Sequence, residues 1–321
     1  MPEQRSGTRI AILIPCYNEE LTIAAVVADF QRALPNAHVF VFDNNSTDRT
    51  AEVAKAAGAQ VFRERRQGKG YVVQAMFNQV EADVYVMVDG DGTYPAAAVH
   101  SLIEPVVLGE ADMVIGSRLH STSHSDFRAL NRLGNHFFLF ILQWIFSVRL
   151  TDLLSGYRCF SRRMVRGTPL FAGGFETEAE MTIKALQRGF RIVEVPVDLV
   201  QRPSGSESKI RVVRDGVLIL TMMLALFRDY KPLSFFGGIG LLLVGLSIVP
   251  GFAVVSEYYR TGQVLRLPSA VLATGILLIG VLSGIAGLIL HTIAQRFRDV
   301  DHQLQSLAEL MKSGSKEPED R

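Results

Sequence analysis

Short apolar runs alternate with amphipathic segments over the N-terminal two thirds of the chain. The apolar runs are rich in β-branched residues and predict buried strands at Ile10–Pro15, Val39–Asp43, Val84–Asp89 and Met113–Ser117. The intervening segments predict helices at Glu19–Ala33, Thr47–Ala57 and Tyr71–Val80. Buried strands that alternate with helices are typical of an α/β fold, Rossmann-like, with a mostly parallel sheet and helices on both faces.

The pattern changes in the C-terminal third, where two long uncharged runs follow each other. Their apolar bodies are Phe235–Val255 and Ala270–Leu290, and each is long enough to cross a bilayer as a helix. We therefore expect a catalytic domain over residues 1–232 and a two-helix transmembrane hairpin over residues 233–292, with spans at about 235–255 and 269–291. Two buried core helices of a soluble protein are the alternative interpretation.

Three further segments carry weaker patterns. Residues near 135–148 and 212–228 are apolar but too short to span, so they predict either interfacial helices or core helices. Residues 293–321 begin with apolar positions at heptad spacing, which predicts a cytosolic amphipathic helix, followed by a disordered tail. This helix, and the GxxxG pair Gly280 and Gly284 in the second span, leave a homo-oligomer open.

Composition narrows the class of protein. The 321 residues include 33 basic and 32 acidic ones, and a net charge of +1 argues against a nucleic-acid partner. Two cysteines, Cys16 and Cys159, cannot form a disulfide framework and suit a reducing compartment. The polar start of the chain carries no signal-peptide pattern.

Polar residues cluster where the predicted strands end, which is where parallel α/β sheets bind ligands. Neither a dinucleotide GxGxxG nor a Walker A loop is present in the sequence. Asp89 and Asp91 follow the third predicted strand with one residue between them, so both carboxylates can face one cation. Such a pair suits Mg²⁺ or Mn²⁺ completed by the phosphates of a nucleotide. The alternative to a metal site is an ordinary Asp-Gly turn with solvated carboxylates.

Taken together, the motifs resemble a known family. They are IPCYNEE at Ile14, DNNSTDRTAEVA at Asp43, GKGYVV at Gly68, VDGDGTYP at Val88, IGSR at Ile115, TDLLSGYRCFSRR at Thr151, GFETEAEMTIKALQRG at Gly174 and RPSGSESKI at Arg202. In this order they resemble the inverting family 2 glycosyltransferases of GT-A fold, and most closely the polyprenyl-phosphate group that includes dolichyl-phosphate mannose and glucose synthases. The chain departs from that pattern at Asn44, where the family usually has Asp, and at Thr93, where many members have Gln.

The resemblance implies roles for individual residues. The metal ligands are Asp89 and Asp91, which also count as catalytic together with Arg118 and Arg132. The donor-binding residues are Pro15, Tyr17, Asn18, Glu19, Asp43, Asn45, Lys69, Gly70, Asp89, Gly90 and Asp91. The residues that bind the acceptor phosphate are Arg118, Arg132, Arg202 and Lys209. The candidates for a sugar or acceptor contact are Asp152, Glu176 and Glu178.

A second group of cations is harder to place from sequence. The residues are Arg158, Arg162, Arg163 and Arg166. Contact with anionic headgroups or solvent, and a role in the site, remain equally open for them.

The expected function is transfer of a hexose, with inversion, from a nucleotide sugar to a polyprenyl phosphate. The donors left open are UDP-glucose, UDP-N-acetylglucosamine and GDP-mannose, and the carriers left open are undecaprenyl and dolichyl phosphate. Because nucleotide sugars are cytosolic, we expect the catalytic domain on the cytosolic side of a membrane, the plasma membrane if the source is a prokaryote. Transfer to a lipid hydroxyl such as that of diacylglycerol is an alternative, for which Asp152 or Glu176 would be the general base. An inactive membrane scaffold is another.

Overall fold

The protein is described here from a computed structural model. It describes residues 7–118, 139–140, 142–143, 150–200 and 212–314. Two compact units divide the chain, Met1–Met223 and Leu224–Arg321.

The first unit is built on a seven-stranded sheet. Its strands are β1 (Ile10–Cys16), β2 (His38–Asp43), β3 (Gln60–Arg63), β4 (Val84–Met87), β5 (Met113–Ser117), β6 (Arg158–Ser161) and β7 (Ile192–Pro196), in the spatial order β3-β2-β1-β4-β6-β5-β7. Every neighbouring pair is parallel except the two that involve β6, which runs antiparallel to β4 and β5. The mostly parallel GT-A-like sheet is therefore confirmed, with strands β3, β6 and β7 added to the four predicted ones.

Helices cover both faces of this sheet. They are α1 (Ile23–Ala33), α2 (Thr50–Ala56), α3 (Lys69–Gln79), α4 (Val99–Val107), α5 (Arg162–Gly167) and α6 (Thr177–Gln187). One buried cluster packs α1 and α4 onto the sheet through side chains such as Phe30 and Leu102. A second cluster packs α3 and α6 onto the opposite face through Met76 and Met181. The strands are thus buried on both sides, as their near-continuous apolar runs predict.

Three long helices complete the described chain. Helix α7 (Val212–Tyr230) crosses the sequence boundary between the two units, and α8 (Pro232–Thr261) and α9 (Leu267–Gly314) form a hairpin. Helix α9 continues through the predicted end of the second span without a break, because no glycine or proline stands between Arg296 and Lys312 to end it. The interfacial segment near 135–148 lies almost entirely outside the described residues, as does the chain after Gly314.

The hairpin helices are long and apolar enough to cross a membrane. Pro232–Thr261 and Leu267–Phe297 both have a mean hydropathy of 2.3, and only 17% of each apolar window is buried. Core helices of a soluble protein would be mostly buried, so the exposed apolar surface indicates a membrane anchor.

Small residues bring the two hairpin helices together. A Cβ atom added to Gly240 would lie 2.6 Å from the carbonyl oxygen of Gly280, and Ser283 Oγ donates a hydrogen bond of 2.9 Å to the carbonyl of Phe236. Gly280, half of the GxxxG pair, is therefore used for a contact within this chain.

Candidate active site

The predicted site residues converge because β2, β1 and β4 are neighbours in the sheet. Residues Tyr17 to Glu20, Asn44 to Arg49 and Val88 to Thr93 follow the carboxyl ends of these three parallel strands. In parallel α/β sheets this edge is the place where ligands bind.

The loops after β1 and β2 hold each other. Asn18 and Asn45 both adopt the left-handed conformation, with φ of 53° and 59°, which Asn tolerates better than most residues. Asn18 Oδ1 accepts a hydrogen bond of 2.7 Å from the backbone N–H of Thr47, and Asp43 Oδ1 accepts one of 3.2 Å from that of Ser46. Asn18 and Asp43 therefore fix the conformation of the two loops at this edge of the sheet.

The other predicted donor-binding residues of this region lie along the same edge. Pro15 lies within β1 beside Phe42 of β2, and Tyr17 has 37% of its surface exposed. Glu19 begins the turn into α1, with its backbone N–H bonded to Thr50 Oγ1 at 2.8 Å. The Tyr17 ring is thus an exposed apolar surface beside the polar edge.

Asn44 is a residue whose importance the sequence did not reveal. It is 4% exposed, and its Nδ2 donates to the carbonyls of Glu64 and Arg66 at 3.1 and 2.7 Å. Its Oδ1 accepts from the backbone N–H of Gly68 at 2.8 Å and from Gln67 Nε2 at 3.3 Å. A carboxylate cannot donate to two carbonyls, so the family's usual Asp could not replace Asn44 in this network.

The Asp89–Gly90–Asp91 segment is held tightly from below. A Cβ atom on Gly90 would lie 2.6 Å from Cys16 Sγ, and the carbonyl of Gly90 accepts a hydrogen bond of 2.7 Å from the Thr22 hydroxyl. Asp91 is 8% exposed, and its Oδ1 accepts from the N–H and the hydroxyl of Thr93 at 3.0 and 2.7 Å. The predicted site residue Gly90 therefore fixes the backbone between the two carboxylates.

This segment fits a divalent ion of the Mg²⁺ type. The residues that the structure describes contain no group of three or more His, Cys, Asp or Glu that could hold a metal. Proteins nevertheless usually bind Mg²⁺ through only one or two carboxylates when substrate phosphates supply the other oxygen ligands. Asp89 also attracts a cation already, since the ammonium of Lys69 lies 2.6 Å from its Oδ1.

Lys69 bridges two carboxylates at the first turn of α3. Its Nζ lies 2.6 Å from Asp89 Oδ1 and 2.6 Å from Glu178 Oε1, and 12% of its side chain is exposed. Burial alone would lower the pKa of Lys69, but the two carboxylates outweigh burial and raise it above its usual value. The ammonium is therefore charged at every physiological pH and bridges the carboxyl end of β4 and helix α6.

The glycines beside Lys69 permit this close approach. A Cβ atom on Gly70 would lie 2.1 Å from the carbonyl oxygen of Ala172, and one on Gly68, at φ 140°, 2.1 Å from that of Gly173. Glu180 fixes this facing segment, because its carboxylate accepts from the backbone N–H groups of Phe171 and Ala172 at 2.9 to 3.1 Å. Glu180, an acidic candidate of the same sequence motif, therefore has a structural role in holding this segment.

The acidic candidates Glu176 and Glu178 differ in their surroundings. Glu176 accepts a hydrogen bond of 3.0 Å from the backbone N–H of Gly174. Glu178 is 2% exposed, and its Oε2 has no hydrogen-bond partner in the described part of the chain. Of the two, Glu178 is the one joined to Asp89, through Lys69.

Arg118 and Asp152 form a bidentate pair. Arg118 Nε and Nη2 lie 2.7 and 2.8 Å from the two carboxylate oxygens of Asp152, which is 1% exposed. The backbone N–H groups of Arg118 and Leu154 donate to the same carboxylate at 3.1 and 3.2 Å. Burial alone would raise the pKa of Asp152, but the guanidinium and these hydrogen bonds outweigh it and hold the pKa below its usual range.

This pairing bears on the roles expected for both residues. A general base needs an accessible oxygen and a pKa near the working pH, and Asp152 has neither. Arg118 keeps 32% of its side chain exposed, and its Nη1 lies outside the pair. Asp152 therefore anchors Arg118, and the expectation that Asp152 could act as a base is not supported.

Comparison with known proteins identifies the family. The model of "Glycosyl transferase family 2" matches residues 11–168. Glycosyltransferase AglJ of Haloferax volcanii is 34% identical over 281 residues, which cover 85% of this chain and 92% of that protein. The chain belongs to glycosyl transferase family 2. The family resemblance drawn from the sequence motifs is confirmed.

Two further similarities concern substrates and fold. A dolichyl-phosphate hexose transferase of Haloferax volcanii is 30% identical over 210 residues, covering 65% of this chain and 90% of that protein. Glucosyl-3-phosphoglycerate synthase of Mycobacterium tuberculosis, solved with Mg²⁺ and uridine diphosphate, superposes with a TM-score of 0.59 at 22% identity, covering 70% of this chain and 80% of that chain. The second similarity shows that the family 2 enzyme described here shares the fold of that synthase.

The surroundings of Arg158 in this glycosyltransferase decide between the two roles that the sequence left open. It is fully buried, and it donates to the carbonyls of Leu153 and Ser155 at 2.6 and 2.8 Å and to Thr182 Oγ1 at 2.8 Å. Burial lowers the pKa of Arg158 to about 10. Contact with headgroups or solvent is therefore wrong for Arg158, which instead ties the segment after Asp152 to helix α6.

The other arginines of that group are Arg162, Arg163 and Arg166. Arg162 and Arg166 pair with Glu81, and the Arg163 guanidinium lies 5.5 Å from the ring centre of Phe190. The predicted phosphate ligands outside the described residues are Arg132, Arg202 and Lys209. Arg118 is thus the predicted acceptor cation whose surroundings the structure describes.

Proposed function

We propose that this family 2 glycosyltransferase moves a hexose from a nucleotide sugar to a polyprenyl phosphate, with inversion. UDP-glucose, UDP-N-acetylglucosamine and GDP-mannose are the candidate donors, and undecaprenyl and dolichyl phosphate the candidate carriers. The relative named as a dolichyl-phosphate hexose transferase supports this acceptor class. The exposed apolar hairpin supports an acceptor that resides in a membrane.

The observation that carries the proposal is the commitment of Asp152 to Arg118. A lipid hydroxyl needs a general base to become a good nucleophile. A phosphate monoester has a second pKa of about 6 and is mostly dianionic at neutral pH, so it needs a cation to orient it rather than a base. Asp152, with four donors within 3.2 Å and a lowered pKa, serves the second chemistry because it fixes the orientation of Arg118.

The donor occupies the edge formed by the loops after β1, β2 and β4 in this proposal. The donor-binding residues on this edge are Pro15, Tyr17, Asn18, Glu19, Asp43, Asn45, Gly90 and, across from them, Lys69 and Gly70. Asp89 and Asp91 would hold Mg²⁺ or Mn²⁺, which when bound would stabilise the negative charge that develops on the departing diphosphate. The ammonium of Lys69, beside Asp89, supplies a further positive charge to that diphosphate.

The chemical step is a single in-line displacement at the anomeric carbon of the sugar. An oxygen of the acceptor phosphate forms the new bond to this carbon, and the bond to the β-phosphate oxygen of the donor breaks as the nucleoside diphosphate leaves. Because attack and departure take place on opposite faces, the anomeric configuration inverts. Arg118, together with Arg132, Arg202 and Lys209, orients the acceptor phosphate, and Glu178 or Glu176 contacts the sugar.

The proposed topology follows from where the substrates are found. Nucleotide sugars are cytosolic, so residues 1–232 and the chain after residue 292 lie in the cytosol, and residues 233–292 span the membrane. The segments near 135–148 and 212–228 lie at the membrane interface, where the exposed Val217 and Leu218 of α7 would enter the lipid. A reporter fused after Arg321 is then expected on the cytosolic side, and an external reporter contradicts this topology.

A transfer assay tests the proposal and separates it from its rivals. The full-length protein in detergent or nanodiscs receives each radiolabelled donor with Mn²⁺ and either a polyprenyl phosphate or diacylglycerol. We expect label in the polyprenyl phosphate alone, and its loss in D91A, since one metal carboxylate is then missing. Label in diacylglycerol supports the hydroxyl-transferring alternative, and absence of label with every donor and acceptor supports the inactive scaffold.

A further inference from the structure

The ammonium of Lys69 occupies the side of Asp89 that a metal ion would use. Lys69 Nζ lies 2.6 Å from Asp89 Oδ1. The other oxygen of this carboxylate, Oδ2, packs against Gly156 so closely that a Cβ atom there would be 2.2 Å away. A divalent ion that approaches Asp89 therefore meets an oxygen already bound to a positive charge.

Two cations that share one carboxylate oxygen repel each other. The repulsion between a divalent ion and an ammonium a few ångströms apart is strong where solvent is partly excluded, and only 12% of the Lys69 side chain is exposed. Metal binding to the protein alone is thus opposed until the lysine gives up its contact with Asp89.

Glu178 provides a second position for the displaced ammonium. Its Oε1 already lies 2.6 Å from Lys69 Nζ, and its buried Oε2 has no hydrogen-bond partner in the described part of the chain. An ammonium has three donors, so a lysine released by Asp89 can use both oxygens of Glu178. The charge of Lys69 then stays compensated while Asp89 turns to the metal.

We propose that Lys69 is an internal counter-ion that competes with the divalent metal for Asp89, and that a nucleoside diphosphate relieves this competition. The inference rests on the proposed function, because it uses the diphosphate of the donor as the anion that attracts Lys69 and joins the metal. Metal and nucleotide consequently bind with positive coupling, and the coupling is reciprocal. The metal is held firmly when a donor is present and weakly when it is absent.

The test is Mn²⁺ affinity measured directly, by electron paramagnetic resonance of free Mn²⁺, on the full-length protein with and without UDP. For the wild type we expect UDP to tighten Mn²⁺ binding by a factor within about 5- to 150-fold, the usual range of such coupling. K69M removes the competing cation, so Mn²⁺ binding without UDP becomes tighter and the effect of UDP shrinks. E178Q removes the second position of the ammonium, so Mn²⁺ binding without UDP becomes weaker than in the wild type.

The opposite signs of these two variants make the test sharp. K184M is the matched control, because Lys184 is also buried and ion-paired, to Glu180 at 2.7 Å, but neither residue contacts Asp89. It should leave Mn²⁺ affinity unchanged. Thermal unfolding identifies any variant that fails to fold. If K69M fails to fold, E178Q still tests the proposal.

The outcomes separate this inference from the function on which it rests. Mn²⁺ that binds with UDP but no more tightly to K69M than to the wild type in its absence overturns the counter-ion role alone. An E178Q protein that gains affinity as K69M does overturns it as well. Absence of Mn²⁺ binding to every variant, with or without UDP, contradicts the metal site of the proposed function itself.

Discussion

Replacing Asp152 by Asn is the change that separates an anchor for Arg118 from a catalytic base. The side chain keeps its size but loses its charge, and one of the two oxygens that accept four hydrogen bonds becomes a donor. At a charge separation of 2.7 to 2.8 Å the attraction to Arg118 is about 6 kcal/mol with an effective dielectric constant of about 20. Desolvation of the two groups offsets part of this attraction.

The expected loss of stability is smaller than the raw attraction. Removing one partner of a buried pair costs about 3–5 kcal/mol, and the 32% exposure of Arg118 favours the lower end, about 3 kcal/mol. For a unit of this size, that loss lowers the Tm by about 6–12 °C. The surface pair of Arg9 with Asp83 is the control, and D83N should cost no more than about 1 kcal/mol because Asp83 is 39% exposed.

The pH dependence of stability gives the same reasoning a second readout. The pKa of Asp152 is lower in the folded protein than in the unfolded chain. Its contribution is therefore fully present above the unfolded-state value of about 3.9 and is lost as the pH falls through the folded-state pKa. Thermal unfolding of the wild type from neutral pH to below pH 4 should show this loss, and D152N should lack that component.

Kinetics supply the result that would refute the anchor role. If Asp152 only orients Arg118, D152N raises the KM for the lipid phosphate and lowers kcat without removing a titration from the pH–rate profile. A D152N protein with wild-type Tm, a large fall in kcat and the loss of an acidic limb in its profile would instead identify Asp152 as a general base.

Two further substitutions test the geometry around the donor and the metal. N44D places a carboxylate against two carbonyls and loses two hydrogen bonds, so we expect a loss of about 2–3 kcal/mol in unfolding free energy and a raised donor KM. N45D loses one exposed hydrogen bond to a carbonyl and is the matched control, so it should lower the unfolding free energy less than N44D does. Equal losses would contradict the structural role of the Asn44 hydrogen bonds. G156A adds a methyl group 2.2 Å from Asp89 Oδ2, so Mn²⁺-dependent transfer should fall at least about tenfold while the chain still folds; unchanged activity would show that Asp89 tolerates displacement.

The sheet was largely predictable because its buried strands leave a strong pattern. The β1, β2, β4 and β5 strands are continuous apolar runs, and all four appear within two residues of their predicted bounds. Strand β3 is too short and too exposed to stand out, and the sequence of β6 begins with the buried Arg158, which reads as a surface residue. Pattern reasoning fails there because long-range hydrogen bonds, not local hydrophobicity, determine the environment of that arginine.

The candidate site divides in the same way. Asp89 and Asp91 could be found from sequence because their spacing on an extended segment is itself informative. The partners of Lys69 and Asp152 lie 20 to 109 positions away in the chain, so no local pattern connects them. The hydrogen bonds of Asn44 likewise depend on backbone carbonyls, whose positions follow from the folded loops alone.

The most direct test of the proposed transfer is combined ³¹P and ¹H nuclear magnetic resonance of the lipid product formed from an α-linked nucleotide sugar. We expect the monophosphate signal of the polyprenyl carrier to be replaced by that of a glycosyl phosphodiester, and the anomeric proton to show a sugar in the β configuration. A product with an α-linked sugar, or a labelled lipid that contains no phosphodiester, would contradict it.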